Sequence, residues 1–184
     1  FVAGEWTHLA MTWSYNGSTY DLKLFVDGVK CGELLNQNRN LMKMASNRNF
    51  ALGALAFGGS VTGSSLPCSI DSVQIKSGTA LTDSQVAAIA GQSDRQMSIE
   101  TAAGGTTPAG PSYLESSATL YGDANLSNGS LVLDGTGDYA VIDDGFRFTD
   151  KMTTSVWFKT TATGDRRIYS SHVRGLSGGD FRNG

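Results

Sequence analysis

The sequence predicts an all-β fold, an antiparallel β-sandwich with one short helix. Short stretches of alternating apolar and polar residues recur along the chain and indicate half-buried strands. The 184 residues include 23 glycines but only 3 prolines, a usage typical of many short strands joined by glycine-rich turns. Only residues 81–91 combine the start and stop signals of a helix.

The stretch from residue 5 to residue 33 is the centre of the predicted sheet. It contains two apolar strands around a polar turn. A tight hairpin at Asp27 and Gly28 follows, and this pair favours a type I′ turn because both central residues need positive φ. The second strand, YDLKLFVD, alternates between a face of Leu22, Leu24 and Val26 and a face of Lys23, Phe25 and Asp27.

Residues 34–49 are predicted to form a long polar loop. The loop carries Arg39, Lys43 and Arg48 and no acidic residue. One interpretation is a solvated connection. The other is a basic patch that binds a sulfated or acidic glycan.

The stretch CSIDSVQIKSG predicts a strand whose main apolar residues are Ile70, Val73 and Ile75. Their spacing is not strictly two, which predicts a bulge or burial on both faces. The helix follows, with Thr82 and Gln85 as a capping box and Gly91 as its end. NFALGAL, before these elements, predicts a strand, and FGGSVTGSS predicts a turn.

Residues 101–112, TAAGGTTPAGPS, have the composition of a linker. After it, SLVLDGTGDYAVIDDG predicts a strand, a turn and a strand. TTSVWFKTT and RRIYSS predict two further strands.

Four motifs occur in the order seen in laminin-G-like domains: GEWTHLAMTWS, KLFVDG, CSIDSVQI and LTDSQVAAI. Residues 1–92 therefore resemble the closing half of such a domain. LVLDGTGDYAVID followed by SVWFKT, within residues 113–184, resembles the opening half of a second copy. The resemblance implies the jelly-roll-like sandwich of the concanavalin A-like lectin and glucanase group, and binding or adhesion more often than catalysis.

The closing half thus precedes the opening half. We divide the chain into residues 1–95, a linker at 96–112, and residues 113–184. Three explanations of this order stay open: a window on a tandem array, a circular permutant whose halves form one sandwich, and halves that complete each other between subunits. We favour the window on a tandem array. Self-association between chains is the second choice, because half a sandwich leaves open sheet edges.

Two cysteines, Cys31 and Cys68, are present. They are either two free thiols or one disulfide. In laminin-G-like domains a cysteine before the strand that contains IDSV often pairs with one upstream, so the resemblance implies a Cys31–Cys68 disulfide.

The sequence contains no recognisable catalytic arrangement, and we predict that the protein is not an enzyme. His8 and His172 are the only histidines, and His8 alternates with apolar residues as a packed structural histidine would. The net charge of −3 does not suggest a nucleic-acid binder. No apolar run reaches the roughly 20 residues that span a bilayer.

Aspartates concentrate towards the end of the chain, with six of them within 28 residues: Asp123, Asp134, Asp138, Asp143, Asp144 and Asp150. Aspartate and glycine are good turn residues, but carboxylates on turns also suit calcium. Laminin-G-like domains often bind calcium, so the resemblance favours this interpretation without assigning ligands. We predict a calcium site with Asp134 or Asp138 as ligands and Asp71 from the closing half as a further one.

We predict a non-catalytic extracellular or cell-surface recognition and adhesion module that binds glycan or protein. One alternative is a structural repeat of an extracellular fibre or appendage. The other is an accessory domain of a secreted glycosidase. The chain begins with Phe1, and we expect it to be a mature piece or a fragment of an exported protein.

Overall fold

A computed structural model describes residues 1–38, 48–57, 60–62, 66–92, 99–102, 118–142, 150–163 and 168–173. Within these described residues, one helix, α1 (Asp83–Ala90), lies among fourteen strands. In chain order the strands are β1 (Trp6–Tyr15), β2 (Tyr20–Val26), β3 (Val29–Gln37), β4 (Arg48–Leu52), β5 (Leu55–Phe57), β6 (Ser60–Thr62), β7 (Cys68–Ser77), β8 (Ile99–Ala102), β9 (Ala118–Tyr121), β10 (Asn125–Ser127), β11 (Ser130–Leu133), β12 (Tyr139–Ile142), β13 (Lys151–Lys159) and β14 (Tyr169–Val173).

The strands form two main sheets and confirm the predicted all-β class with one short helix. The larger sheet has the order β10-β11-β7-β13-β1-β2-β3, with β8 pairing in parallel beside β7. The smaller sheet has the order β14-β4-β12-β9, and β5 pairs with β6 in a separate hairpin. All of these pairs except β7–β8 are antiparallel.

Strands from residues 1–95 and from residues 113–184 lie side by side in both sheets. Strand β13 is inserted between β1 and β7, pairing Trp6 with Lys159 on one side and Ile70 with Phe158 on the other. In the smaller sheet, β12 pairs with β4. The two segments therefore share one hydrogen-bonded framework in this structure.

One apolar core joins the two main sheets. The buried side chains of this core come from both segments: Leu52, Leu66, Cys68, Ile70, Val73, Ile75, Leu131, Leu133, Ala140, Ile142, Met152, Val156 and Phe158. Their burial away from water is the main contribution to folding stability, at about 25 cal/mol per Å² of apolar surface.

Helix α1 covers the opposite face of the larger sheet. Phe25 is fully buried there in a second apolar cluster with Ala10 and Val86. Lys23 reaches the helix and its Nζ lies 2.7 Å from Asp83 Oδ1. The predicted apolar face of β2 is the more open one, since Leu24 on that face is 40% exposed.

The local signals of the turn and the helix are confirmed. Asp27 and Gly28 have φ of 49° and 76°, as a type I′ turn requires. The Thr82 side chain accepts from the Gln85 N–H and the Gln85 side chain accepts from the Thr82 N–H, which completes the capping box. Gly91 ends the helix.

The bulge predicted in the CSIDSVQIKSG strand is also present. The register of β7 against β13 shifts between Ser155 and Trp157, and Ser72 in this part of β7 has a φ of 45°. The extra residue lets Ile70 and Ile75 both reach the core although their spacing is odd.

Three sequence expectations need correction in this part of the fold. Residues 34–37 are strand rather than loop, because β3 continues to Gln37 through pairs such as Leu22 with Leu34. Strand β4 begins at Arg48, inside the predicted loop, and β6 lies within the predicted turn FGGSVTGSS.

The cysteines also differ from the prediction, since both are free, Cys31 exposed and Cys68 buried. Cys31 lies on β3 and Cys68 on β7, four strands apart in the larger sheet. Neighbouring strands are about 4.8 Å apart, so the two cysteines are separated by roughly 19 Å, whereas a disulfide needs Cα atoms within about 7 Å. The structure therefore contains no Cys31–Cys68 disulfide.

Candidate calcium and ligand-binding site

Three aspartates meet where two turns come together. Asp123 lies in the turn between β9 and β10, and Asp134 and Asp138 lie at the two ends of the turn between β11 and β12. One ligand oxygen from each carboxylate lies within 4.8 Å of the others. We call Asp123, Asp134 and Asp138 the acidic cluster.

Asp138 is the structural centre of the acidic cluster. It is 1% exposed, and its Oδ1 accepts the N–H of Asp123 at 2.9 Å while its Oδ2 accepts the N–H of Asp134 at 2.7 Å. The bond from Asp134 is the main reason that the pKa of Asp138 lies below its usual range. A charged carboxylate with two N–H donors thus ties the two turns together.

Gly122 allows these turns to approach. Its φ is +70°, and a Cβ at this position would lie 2.4 Å from Asp138 Oδ1 and 2.9 Å from the Gly137 carbonyl oxygen. A side chain at residue 122 would therefore displace the Asp138 carboxylate.

Asp123 and Asp134 are exposed. Asp134 Oδ1 accepts the N–H of Thr136 at 2.6 Å. A hydrogen bond to the Asp138 carboxyl group favours the protonated form of Asp123 and raises its pKa, and the nearby charge of Asp134 acts in the same direction. The cluster therefore concentrates negative charge on a solvent-accessible turn.

This arrangement fits a hard cation. Calcium binds oxygens at about 2.3–2.6 Å, so two of its ligands lie no more than roughly 5 Å apart. The oxygens of the acidic cluster meet that limit. Asp123, Asp134 and Asp138 are the residues that would hold such an ion.

The structure brings together only part of the predicted calcium set. Asp134 and Asp138 are neighbours, and Asp123 joins them, but Asp71 is not in the group. Asp71 is buried on β7 opposite Trp157. Continuing the β11–β7 register beyond the Leu131–Ile70 pair places Asp71 opposite Ser130, four residues and roughly 13 Å along the strand from Asp134.

An aromatic pair that the sequence analysis did not identify flanks the acidic cluster. Tyr121 and Tyr139 are directly paired on β9 and β12. Their ring centroids are 4.6 Å apart with an interplanar angle of 11°, which is a stacked arrangement. A signal was available, because both turns have a Gly-Asp pair beside a tyrosine, in YGD and GDY.

The predicted basic patch is only partly covered by the structure. Arg39 and Lys43 lie outside the described residues. Arg48 begins β4, and its side chain is not among those described. The glycan-binding role of Arg39, Lys43 and Arg48 stays a prediction.

The packed role expected for His8 is confirmed. Its side chain is fully buried, and its Nε2 lies 2.7 Å from Ser155 Oγ. Desolvation lowers the pKa of His8 to about 4, although the Asp27 carboxylate acts in the opposite direction. A serine and a histidine thus lie at hydrogen-bond distance, but Ser155 is only 2% exposed, so a substrate cannot reach this pair in the folded state.

Comparison with known protein families places part of the chain beside a described family. A laminin-G family model, described as the concanavalin A-like lectin/glucanases superfamily, matches residues 1–87, which is just under half of the chain. Searches of curated proteins and of solved structures gave no significant match. Among the described residues, no helix is long and apolar enough to cross a membrane.

Proposed function

We propose that the protein is a non-catalytic recognition and adhesion module. The premise is that residues 1–87 are a laminin-G-like stretch of the concanavalin A-like lectin/glucanase superfamily. The protein acts outside the cell or at the cell surface and binds glycan or protein. The family match over the strands β1 to β7 is the observation that carries this proposal.

Asp138, the central carboxylate of the acidic cluster, is unsuited to the proton-donating role in glycoside hydrolysis. A glycosidase needs one carboxyl group that donates a proton and a second that acts as nucleophile or base. Both oxygens of Asp138 accept backbone N–H bonds, which stabilises the ionised form and opposes proton donation. The cluster lies on turns, where carboxylates suit cation binding and ligand contact.

A glycan array and a parallel screen of extracellular proteins test the recognition role. We expect saturable binding of at least one glycan or protein. The absence of binding in both screens would contradict the recognition role, and turnover of a glycan by the purified protein would contradict its non-catalytic character.

Calcium binding at the acidic cluster is the second part of the proposal. Three carboxylates brought within 4.8 Å of one another repel each other, and a divalent cation would offset that repulsion. An ion that binds only the folded state at a hundred times its Kd stabilises it by about 2.7 kcal/mol. For a chain of this size that corresponds to a rise in melting temperature of roughly 5–10 °C.

Thermal melting in EDTA and in millimolar calcium tests this site. We expect a calcium-dependent rise in wild type that is lost in Asp134→Ala and in Asp123→Ala. It should persist in Asp71→Ala, because Asp71 lies outside the cluster, and in the matched control Asp150→Ala. An equal melting temperature of wild type in both buffers would reject the ion.

A structural repeat unit is the second candidate function. The observation that favours it is the insertion of β13 between β1 and β7, since adjacent repeats of a fibre could complete each other's sheets in the same way. Electron microscopy of the native material should then show regular filaments. Dispersed single particles would contradict this role.

A further inference from the structure

Strand β3 forms a long edge of the larger sheet. It is the end strand of the sheet order, and within the described part of the chain it pairs only with β2. It has nine residues, most of them exposed, whereas β10 at the other end of the sheet has three. An end strand presents a row of N–H and C=O groups that can bind a further strand, so β3 offers the longer edge for pairing.

A β-bulge at Cys31 decides which side chains of β3 share a face. The β2–β3 register passes from Lys30 to Gly32 and skips Cys31, which makes Cys31 the extra residue of the bulge. Lys30 and Glu33 therefore lie on the same face, although residues three apart in a regular strand lie on opposite faces. Their contacts agree with this, because Lys30 Nζ is 2.7 Å from Glu33 Oε2 and 3.4 Å from Asp83 Oδ2 on α1.

The opposite face of β3 is apolar on both sides of the bulge. Val29 pairs with Val26 and Leu34 pairs with Leu22, and directly opposed residues of an antiparallel pair share a face. Both therefore lie on the side of the sheet that is turned away from α1. Val29 is 70% exposed and Leu34 is 50% exposed, so both side chains contact water.

The two faces of β3 are thus arranged symmetrically about the bulge. In chain order the positions are apolar at Val29, positive at Lys30, bulged in the middle, negative at Glu33 and apolar at Leu34. A second copy of β3 that runs in the opposite direction and is centred on the bulge is complementary to this pattern. Lys30 then faces Glu33 of the second copy, and Val29 faces Leu34 of the second copy, each twice by symmetry.

We propose that β3 is a self-association edge, through which two copies of the protein pair as antiparallel strands centred on the Cys31 bulge. The paired strands continue the larger sheet across a two-fold axis. Because a two-fold contact uses the same surface of both copies, the assembly closes at the dimer. This inference goes beyond the proposed recognition function and does not depend on it.

The charges select both the occupant and the register. A two-fold axis through Lys30 would place this residue opposite its own copy, and an axis through Glu33 would oppose two carboxylates. Like charges directly opposite each other destabilise a strand pair, whereas an axis through the bulge lets each charge meet its opposite. A contact along one strand edge, residues 29–34, is smaller than the roughly 800 Å² per partner of a stable complex, so we expect a weak dimer.

Sedimentation velocity of the full chain at low salt, from about 5 to about 500 µM, provides the test. We expect a monomer–dimer equilibrium in wild type that weakens as salt is added. Its Kd should rise roughly tenfold in Lys30→Glu and in Glu33→Lys, because each change places like charges opposite each other at two symmetric positions. The double variant Lys30→Glu/Glu33→Lys should return the Kd to within about threefold of wild type.

Lys151→Glu is the matched control, since it makes the same charge change at an exposed residue of β13, a strand enclosed by β1 and β7. A short bis-maleimide gives a second measurement that needs no charge variant. It should cross-link two copies through Cys31, which is exposed, and Cys31→Ser should abolish the cross-link. Melting curves of each variant confirm that the fold is intact.

A β-bulge can also protect an edge by twisting it away from other strands, and a chain that stays monomeric at every concentration overturns the inference. A dimer that the charge reversals leave unchanged, or that Cys31 does not cross-link, overturns it as well. Growth beyond the dimer into filaments overturns it and favours the repeat-unit role. The glycan and protein screens are independent of these results, so the recognition function is tested separately.

Discussion

Two buried polar residues of this sandwich have specific hydrogen-bonding partners. Asp138 accepts two backbone N–H groups inside the turns, and His8 is fully buried beside Ser155. Burial of such groups is tolerated because their hydrogen bonds replace those lost from water. Because the pKa values of Asp138 and His8 change on folding, these two residues make the free energy of unfolding depend on pH.

His8 predicts a loss of stability in mild acid. Its pKa is 6.5 in the unfolded chain and about 4 in the folded protein, so between these values the unfolded state binds more protons. The stabilisation is fully present above pH 6.5 and falls as the pH decreases to 4, by up to about 3 kcal/mol. Urea unfolding of wild type and His8→Asn across this range should show a steeper pH dependence in wild type.

His172→Asn is the control for this measurement, since it removes the other histidine and keeps the buried one. Its pH dependence should follow that of wild type. If the free energy of unfolding changed equally with pH in wild type and in His8→Asn, the pKa of His8 in the folded protein would not be lowered.

The two cysteines predict different thiol reactivities. Burial raises the pKa of the Cys68 thiol to about 12, whereas Cys31 is exposed on β3. Because the thiolate is the reactive form, a disulfide-exchange reagent should label one thiol per native chain and two after unfolding without reductant. If no free thiol were labelled in the unfolded chain, the result would support the Cys31–Cys68 disulfide that the sequence analysis predicted.

At the level of elements, α1 packs closely on the β2–β3 turn at a single glycine, Gly28. Gly28 has a φ of +76°, and a Cβ there would meet Ala90 Cβ at 2.9 Å and Ala87 Cα at 3.0 Å. The turn and the helix are also joined by Lys23, Lys30 and Asp83. Those ion pairs are exposed enough to contribute little, so steric fit dominates.

Gly28→Ala is therefore expected to destabilise more than an ordinary turn substitution. Positive φ costs a residue with a side chain about 1–2 kcal/mol, and the clash with α1 adds roughly 1–3 kcal/mol. Gly17→Ala separates these costs, because Gly17 has a φ of +96° but no atom within 4 Å of a Cβ. Urea unfolding should show the larger loss for Gly28→Ala, and equal losses would mean that α1 does not pack on this turn.

For the whole molecule, β13 is the strand on which the larger sheet depends. It pairs along nearly its whole length with β1 and with β7, and Val156 and Phe158 contribute to the shared core. Without β13 the larger sheet would separate into two parts, each with an open edge. The stability of the two segments is thus coupled.

Hydrogen exchange measures this coupling. We expect the β13 amides to be among the slowest to exchange, together with those of β1 and β7, because only global unfolding exposes them. The edge strands β9 and β10 should exchange earlier and serve as the internal comparison. Exchange of β13 as fast as that of β10 would show that the segments separate without global unfolding.

The sequence by itself determined the features that depend on local chemistry. Asp27-Gly28 predicted the turn, Thr82 with Gln85 predicted the helix start, and the irregular spacing of Ile70, Val73 and Ile75 predicted the bulge. Asp134 and Asp138 were named as candidate calcium ligands, and their carboxylates lie close together in the structure. Each of these signals comes from neighbours in the chain, where backbone geometry and capping bonds leave few alternatives.

Only the tertiary structure decided which distant residues meet. It placed β13 between β1 and β7, left Cys31 and Cys68 four strands apart, and separated Asp71 from the acidic cluster. It also buried Phe25 under α1 and stacked Tyr121 on Tyr139. These outcomes follow from strand order and register, which are set by the joint burial of many side chains rather than by any short stretch of sequence.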